Sequence, residues 1–260
     1  MILVMEMALP AEYFNALAWI WIAIGVLVFP LTLLFTAPFG RHFSSRFGPT
    51  TGNRLGWIIM ESPAIWWFTI VFASGVSSQN YLPWILWAMW MVHYLNRGLI
   101  FPMRTRTTGK RIPWLIVGFA LGFQLVNGYL NGLAIGEFGT QYTVDCLMHS
   151  NFWIGLAVFL LGWLINLHSD EILLKLRKPD ETGYLIPKGG LYAWVSCPNF
   201  LGEMILWSGW AIICWNLAAL SFAIWTFANL VPRALAHHRW YRQHFVDYPA
   251  NRKAVFPGLL

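Results

Sequence analysis

The sequence predicts an all-α polytopic integral membrane protein with seven transmembrane helices, its amino end outside and its carboxyl end in the cytoplasm. Three observations carry that reading. Hydrophobic residues make up 58% of the 260-residue chain and charged residues only 11%, against roughly 25% charged in an average soluble domain. Seven segments are long and apolar enough for a hydrocarbon core of ~30 Å, which takes about 20 helical residues. All 17 Lys and Arg residues fall in alternate connections or at their borders, the asymmetry that marks the cytoplasmic side. The 17 Trp, 19 Phe and 9 Tyr agree, because Trp and Tyr favour the membrane–water interface.

The first segment, about 13–36, has no basic leader and reads as a retained span rather than a cleavable signal peptide. Arg41, Arg46 and Arg54 follow it. The second, about 55–75, contains Trp57 and, one turn later on the same face, Glu61. The third, about 82–103, has His93, Tyr94 and Arg97 in its second half, then Arg104, Arg106, Lys110 and Arg111. The fourth, about 113–134, has Gln124, Asn127 and Asn131 on one face. Gly118 with Gly122, and Gly128 with Gly132, are four apart there, the small-residue spacing that predicts close helix packing; packing is the preferred reading of the three amides as well. The fifth, about 151–168, ends at Asn166 and His168 with Asp170 just beyond, and Lys175, Arg177, Lys178 and Lys188 follow. Asn199 and Glu203 open the sixth, about 199–215. The seventh, about 217–236, is closed by Arg233 and followed by His237, His238, Arg239, Tyr241, Arg242, Arg252 and Lys253. Only an odd number of spans gives this alternation. One membrane-embedded domain, residues 1–260, is expected.

The composition excludes a disordered chain, a disulfide scaffold and a plain cytosolic enzyme. The net charge of +6 does not point to nucleic acid, since the bases sit in short loops rather than on one soluble face. Cys146, Cys197 and Cys214 have no metal spacing and are odd in number, which argues against a structural disulfide or zinc site. No metal ligand set and no obligate protein partner are expected.

An ionisable residue inside a span costs a few kcal/mol and needs a reason. Glu61, Tyr94, Arg97, Asn166, Asn199, Glu203 and Arg233 all fall in the cytoplasmic halves of their helices. One polar cavity open to that side is the economical reading. Alternatives stay open at several positions: Glu61 pairs with Arg97 as structural glue, or serves the cavity; His237 and His238 anchor the interface, or bind. The connection RKPDETGYLIPKGGLYAWVSCPN, residues 177–199, combines three bases, proline breaks and a glycine pair with backbone entering a helix amino terminus. Cations plus free helix-end N–H groups suit a phosphate-bearing ligand, while a solvated basic surface loop reads the same way. No GxGxxG or Walker loop occurs, so a Rossmann or P-loop nucleotide site is not expected.

Together, NLHSDEILLKLRKPDETGYLIPKGGLYAWVSCPNFLGE from Asn166 and RALAHHRWYRQHFVDYPANRKAVFP from Arg233 resemble the steroid 5α-reductase family. MESP around Glu61 and HYLNR around Tyr94 extend the resemblance over most of the chain. Within the family it looks closest to the type 2 steroid branch. The resemblance implies an NADPH-dependent reductase of the Δ4 double bond of 3-oxo-Δ4-steroids, acting by hydride transfer to C5 and protonation at C4. It implies Glu61 and Tyr94 as the catalytic pair on the 3-keto oxygen, with Trp57 walling the substrate cavity. It implies Asn166, Asp170, Arg177, Tyr184, Asn199, Arg233, His237 and Tyr241 at the NADPH site, and supporting roles for Glu203 and Arg252. Leu185 and Ala236 depart from the type 2 pattern, replacing a cationic residue and the first of three consecutive histidines.

The chemistry needs donors on the 3-oxygen as enolate charge develops. Tyr94 offers an O–H. Glu61 donates only when neutral, which burial among apolar helices favours, or it stays ionised and orients Tyr94. The alternatives are an NADPH-dependent reductase of another lipid enone or a polyprenol or enoyl lipid, then a membrane methyltransferase or a transporter. The expected location is the endoplasmic reticulum in a eukaryote, or the inner membrane in a bacterium, with the active site toward the cytoplasm.

Overall fold

The computed structural model describes residues 9–107, 109–176 and 183–260. Its backbone is mostly helical: α1 Ala11–Leu34, α2 Asn53–Glu61, α3 Pro63–Ser74, α4 Tyr81–Leu95, a π-helical turn Asn96–Ile100, α5 Phe101–Arg104, α6 Trp114–Gly136, α7 Ser150–Lys175, α8 Pro198–Cys214 and α9 Leu217–His244. Each of the seven apolar segments falls on one of these helical runs. Among the described residues, five runs are long and apolar enough to cross a membrane: α1, α2 with α3, α6, α7 and α9. The one sheet among the described residues joins β1, Thr50–Gly52, to β2, Arg111–Pro113, antiparallel, with Thr51 opposite Ile112.

Two of the expected boundaries are corrected. α7 continues to Lys175 and α9 to His244, so Asp170, His237, His238 and Tyr241 stand on helices rather than after them. Hydropathy finds where apolar side chains stop. The backbone ladder need not stop there, and Ser169, Asp170 and Glu171 continue it.

Two breaks in helices have chemical causes. Pro63 has no N–H for the carbonyl of Ile59, and the Ser62 hydroxyl donates to that carbonyl instead, at 3.0 Å. The α-helical ladder is therefore interrupted at Ser62, immediately after Glu61. Farther on, the N–H of Phe101 reaches back five residues to Asn96, a π register of the kind frequent at functional sites. In that register Arg97 would receive its bond from residue 102, which is a proline. The indole Nε1 of Trp57 donates to the Arg97 carbonyl at 3.1 Å.

The chain divides into two compact units. The first gathers the chain up to Trp21, Ala37–Phe152 and Cys214–Ser221. Its centre is the packing of α3 against α6. Gly128, Gly132 and Gly136 leave no room for a Cβ against Trp67, Val71 and Phe72, so the helix backbones approach closely. Trp67 Nε1 donates to the Leu125 carbonyl at 2.9 Å, and Trp90 Nε1 from α4 to the Ala64 carbonyl at 2.8 Å. The Trp90 ring stacks on Phe68, centroids 4.3 Å apart. Gly56 holds α2 against Ile112 and Val117 in the same way. The other expected glycine pair is corrected: a Cβ at Gly118 or Gly122 meets nothing within 4 Å, and neither residue packs a helix within the described chain. Near the other end of α6, Tyr142 donates to the Cys214 carbonyl and accepts from Asn216, each at 2.7 Å. Burial pushes its phenol pKa above the ordinary tyrosine value, so it stays a neutral donor.

The second unit gathers Ile22–Thr36, Trp153–Ile213 and Phe222–Leu260. Gly155 and Gly162 on α7 meet Gly209 and Gly202 on α8, and at all four a Cβ would strike the facing backbone. A spacing of seven keeps each pair on one helix face. The carboxyl-terminal tail folds back onto the approach to α8. Ser196 N donates to Lys253 O at 2.8 Å, Cys197 N to Ala254 O at 3.0 Å, and Lys253 N to Trp194 O at 2.8 Å. The Ser196 hydroxyl links His238 Nδ1 at 2.7 Å with the Tyr248 hydroxyl at 2.6 Å. Cys197, Phe200, Met204, Val231, Ala234 and Val255 form the core beneath.

Candidate functional site

In the first unit the polar residues converge beside the break after α2. Glu61 is the last residue of that helix and is half-buried. Gly98, on the π turn, approaches the Glu61 Cβ so closely that a side chain there would press on it. Tyr94 stands one turn after Trp90, packs its ring at a tilt against that indole with centroids 4.9 Å apart and is only 3% exposed. Between acid and phenol lies Gln124 of α6. Its Nε2 donates to Glu61 Oε2 at 2.7 Å, and its Oε1 accepts from the Tyr94 hydroxyl at 3.5 Å. The three residues come from three helical runs, each fixed by the tryptophan and glycine contacts above.

Trp57 lies in the same neighbourhood, but its polar edge is engaged. Besides the bond to the Arg97 carbonyl, its ring faces the Arg97 guanidinium, whose Cζ is 4.9 Å from the ring centroid. The Phe101 ring takes the other approach to that cation at 5.3 Å.

In the second unit a polar cluster forms where α7 and α8 touch. Asn166 Nδ2 donates to the Asn199 carbonyl at 3.1 Å and to Glu203 Oε1 at 3.4 Å. Asn199 Nδ2 donates to Asp170 Oδ1 at 3.2 Å. The spacing explains it: Asn166 and Asp170 are one turn apart on α7, Asn199 and Glu203 one turn apart on α8, and Gly202 brings the α8 backbone against Asn166. His237 is buried on α9 with its ring 5.6 Å from Phe200. Arg233, one turn earlier, is half-buried. Tyr184 packs edge-on against Trp240 at 5.1 Å, and Tyr241 stacks on Tyr248 at 5.1 Å. Arg177 lies outside the described residues. The glycine pair of the preceding connection is needed by the backbone itself. Gly189 and Gly190 have φ of 91° and 50°, and Gly190 leaves room for the His168 ring.

The buried side-chain atoms of this unit with no hydrogen-bond partner among the described residues include Asn166 Oδ1, and Nε and Nη1 of Arg252. Arg252 is 5% exposed, with its guanidinium 5.2 Å from the Tyr248 ring. A buried guanidinium with spare N–H groups suits a phosphate, and a buried amide oxygen suits an N–H donor.

Comparison with known proteins decides the family. The family model described as 3-oxo-5-alpha-steroid 4-dehydrogenase matches residues 110–260. Steroid 5-alpha-reductase DET2 of Solanum lycopersicum is 41% identical over 250 residues, covering 95% of this chain and 96% of that protein. The 3-oxo-5-alpha-steroid 4-dehydrogenase 1 of Bos taurus is 38% identical over 250 residues, covering 95% and 96%. The Homo sapiens protein of that name is 37% identical over 246 residues, covering 94% of each chain. The chain belongs to the 3-oxo-5-alpha-steroid 4-dehydrogenase family. It is an oxidoreductase of that type. The mammalian relatives named here carry the type 1 designation, whereas the expectation from the sequence is the type 2 branch.

The hydrogen-bonded site residues expected from the family resemblance fall in two groups, one in each unit. Glu61 and Tyr94 share Gln124, and Asn166, Asp170, Asn199 and Glu203 form one hydrogen-bonded set. Sequence reasoning assigns Gln124 to packing. The one signal it offers is polarity at mid-span, which it shares with Asn127 and Asn131. Those two bond each other, Asn131 Nδ2 to Asn127 Oδ1 at 3.1 Å, and only Gln124 reaches the acid. For Arg252 the family resemblance implies only a supporting role. Its burial depends on the tail folding back, which no local pattern announces.

Proposed function

We propose that the whole chain is one membrane-embedded reductase domain that uses NADPH to reduce the Δ4 double bond of 3-oxo-Δ4-steroids to 5α-3-oxosteroids. The observation that carries the reading is the hydrogen-bonded set Glu61–Gln124–Tyr94, in a chain whose relatives are named for this reaction. A buried phenol and a carboxyl group held by one amide are what a ketone oxygen needs when it becomes an enolate.

In this reading Tyr94 donates its O–H to the 3-oxygen. Glu61, fixed through Oε2, either donates a second hydrogen bond as the neutral acid or orients Tyr94 as the carboxylate. Each donor aimed at the developing charge contributes roughly 3–4 kcal/mol to the rate. Asn166, Asp170, Asn199, Tyr184, Arg233, His237 and Tyr241 hold the cofactor, with Arg177 from the basic connection, and Arg252 adds a buried cation for phosphate. When bound, NADPH supplies the hydride that C5 receives. Protonation at C4, from water or Tyr94, collapses the enolate. Trp57 acts on the substrate cavity through Arg97 and the π turn rather than through its own N–H. Seven spans, with the amino end outside and the carboxyl end cytoplasmic, follow from the placement of the bases. The steroid then enters from the bilayer.

The test is to incubate membranes containing the protein with NADPH and either testosterone or a long enoyl lipid. The expected result is a 5α-reduced steroid and unchanged enoyl lipid. Reduction of the enoyl lipid alone would replace the reading by the lipid-enone alternative.

A further inference from the structure

We infer that Gln124 is a positioning residue of the reductase site, clamping Glu61 and parking Tyr94 until a ketone arrives. The inference rests on the functional reading above and adds a residue and a division of labour to it. The two ends of the Gln124 amide are unequal. The bond to Glu61 Oε2 is 2.7 Å, the length of a strong charge-assisted contact; the bond from Tyr94 is 3.5 Å, at the outer limit for an O–H donor. The first fixes the carboxyl group. The second is the longer contact, so a substrate oxygen competes for the phenol's hydrogen more readily than for the Gln124 N–H.

The chemistry of the amide supports this division. Nε2 only donates and Oε1 only accepts, so Glu61 Oε2 serves as an acceptor. Gln124 is 6% exposed, which leaves water little access to replace either contact. Its own position is over-determined. Trp67 holds the carbonyl of the next residue, Leu125, and Gly128 and Gly132, one and two turns on, lock α6 against α3. An amide mounted so firmly sets the angle of the acid relative to the phenol.

The test uses the full-length protein in detergent or bilayer with NADPH and testosterone. Gln124→Met has similar volume and no hydrogen bonding at either end. It is expected to lower kcat about 10- to 100-fold, the loss of one buried bond to a charged or polarised group, with steroid KM changed much less and NADPH binding by nucleotide fluorescence within about twofold. Gln124→Asn keeps polarity but falls one methylene short, and is expected to lose kcat as well; it carries the test where the methionine variant does not fold. In the Glu61→Ala background, Gln124→Met is expected to add no more than about a twofold loss, because the clamp then has nothing to hold. A folded, NADPH-binding Gln124 variant that turns over within twofold of wild type overturns the inference. So does a full additional loss on top of Glu61→Ala. Wild-type protein inert toward the steroid, or indifferent to Glu61→Ala and Tyr94→Phe, overturns the functional reading itself. Those outcomes are therefore distinguishable.

Discussion

Trp57 and Arg97 are bound to each other twice: the indole N–H donates to the backbone carbonyl at 3.1 Å, and the guanidinium lies 4.9 Å from the indole ring centroid. The two contacts have one origin. Pro102 removes the N–H that the π register would have given that carbonyl, and an aromatic donor on α2 replaces it. The pair thus ties α2, which ends in Glu61, to the turn that follows Tyr94.

Trp57→Phe removes the donor and retains a ring beneath the cation. It should destabilise the protein by about 1–2 kcal/mol, the cost of a partly buried acceptor losing its partner. Steroid KM should rise more than NADPH Kd. Thermal unfolding in detergent and steady-state kinetics check this. Unchanged stability would mean that water satisfies the Arg97 carbonyl.

Glu61→Gln keeps size and a donor, and its side-chain carbonyl can still accept from Gln124 Nε2. It should therefore retain more activity than Glu61→Ala, by about tenfold, as one retained hydrogen bond at a polar site predicts. Parallel kcat measurements decide it. Equal losses would count against a hydrogen-bonding role for Glu61.

Gly136→Ala forces a methyl group into the backbone of Phe72, and overpacking of this kind costs about 1–3 kcal/mol. Because α6 carries Gln124, kcat should fall with stability. Gly122→Ala meets open space and should be neutral or stabilising by up to about 1 kcal/mol from helix propensity. Thermal melts of both variants test the pair; a destabilised Gly122→Ala would imply a helix packed on that face.

Asp170→Ala takes the acceptor from Asn199 Nδ2. NADPH Kd should rise about tenfold, one hydrogen bond's worth, with steroid KM little changed. Nucleotide fluorescence titration reads it directly. An unchanged Kd would separate this cluster from the cofactor.

Much of this is legible in the chain. Helix over each of the seven apolar segments follows from their composition, five of the runs being long and apolar enough to span, and the Asn166–Asp170–Asn199–Glu203 cluster follows from two one-turn spacings. Glu61 and Tyr94 stand out because lipid tolerates such residues poorly. Other features are hidden because they depend on tertiary approach. What sets Gln124 apart from Asn127 in role is what stands opposite it and one methylene of extra reach, and the split between Gly118–Gly122 and Gly128–Gly132 depends on which face α3 covers. The helix ends of α7 and α9 escape a hydropathy reading because hydropathy measures lipid contact, whereas backbone bonding continues through polar residues.

Tyr94 donating to a steroid ketone while a separate set of residues holds NADPH is tested by single-turnover reduction of testosterone by purified wild type and Tyr94→Phe, under anaerobic conditions with NADPH prebound. Wild type should give a 5α-reduced product, the variant a rate lower by about 10²-fold, as for one missing oxyanion donor, and NADPH affinity should be equal in both. Equal rates in the two proteins would contradict that role for Tyr94.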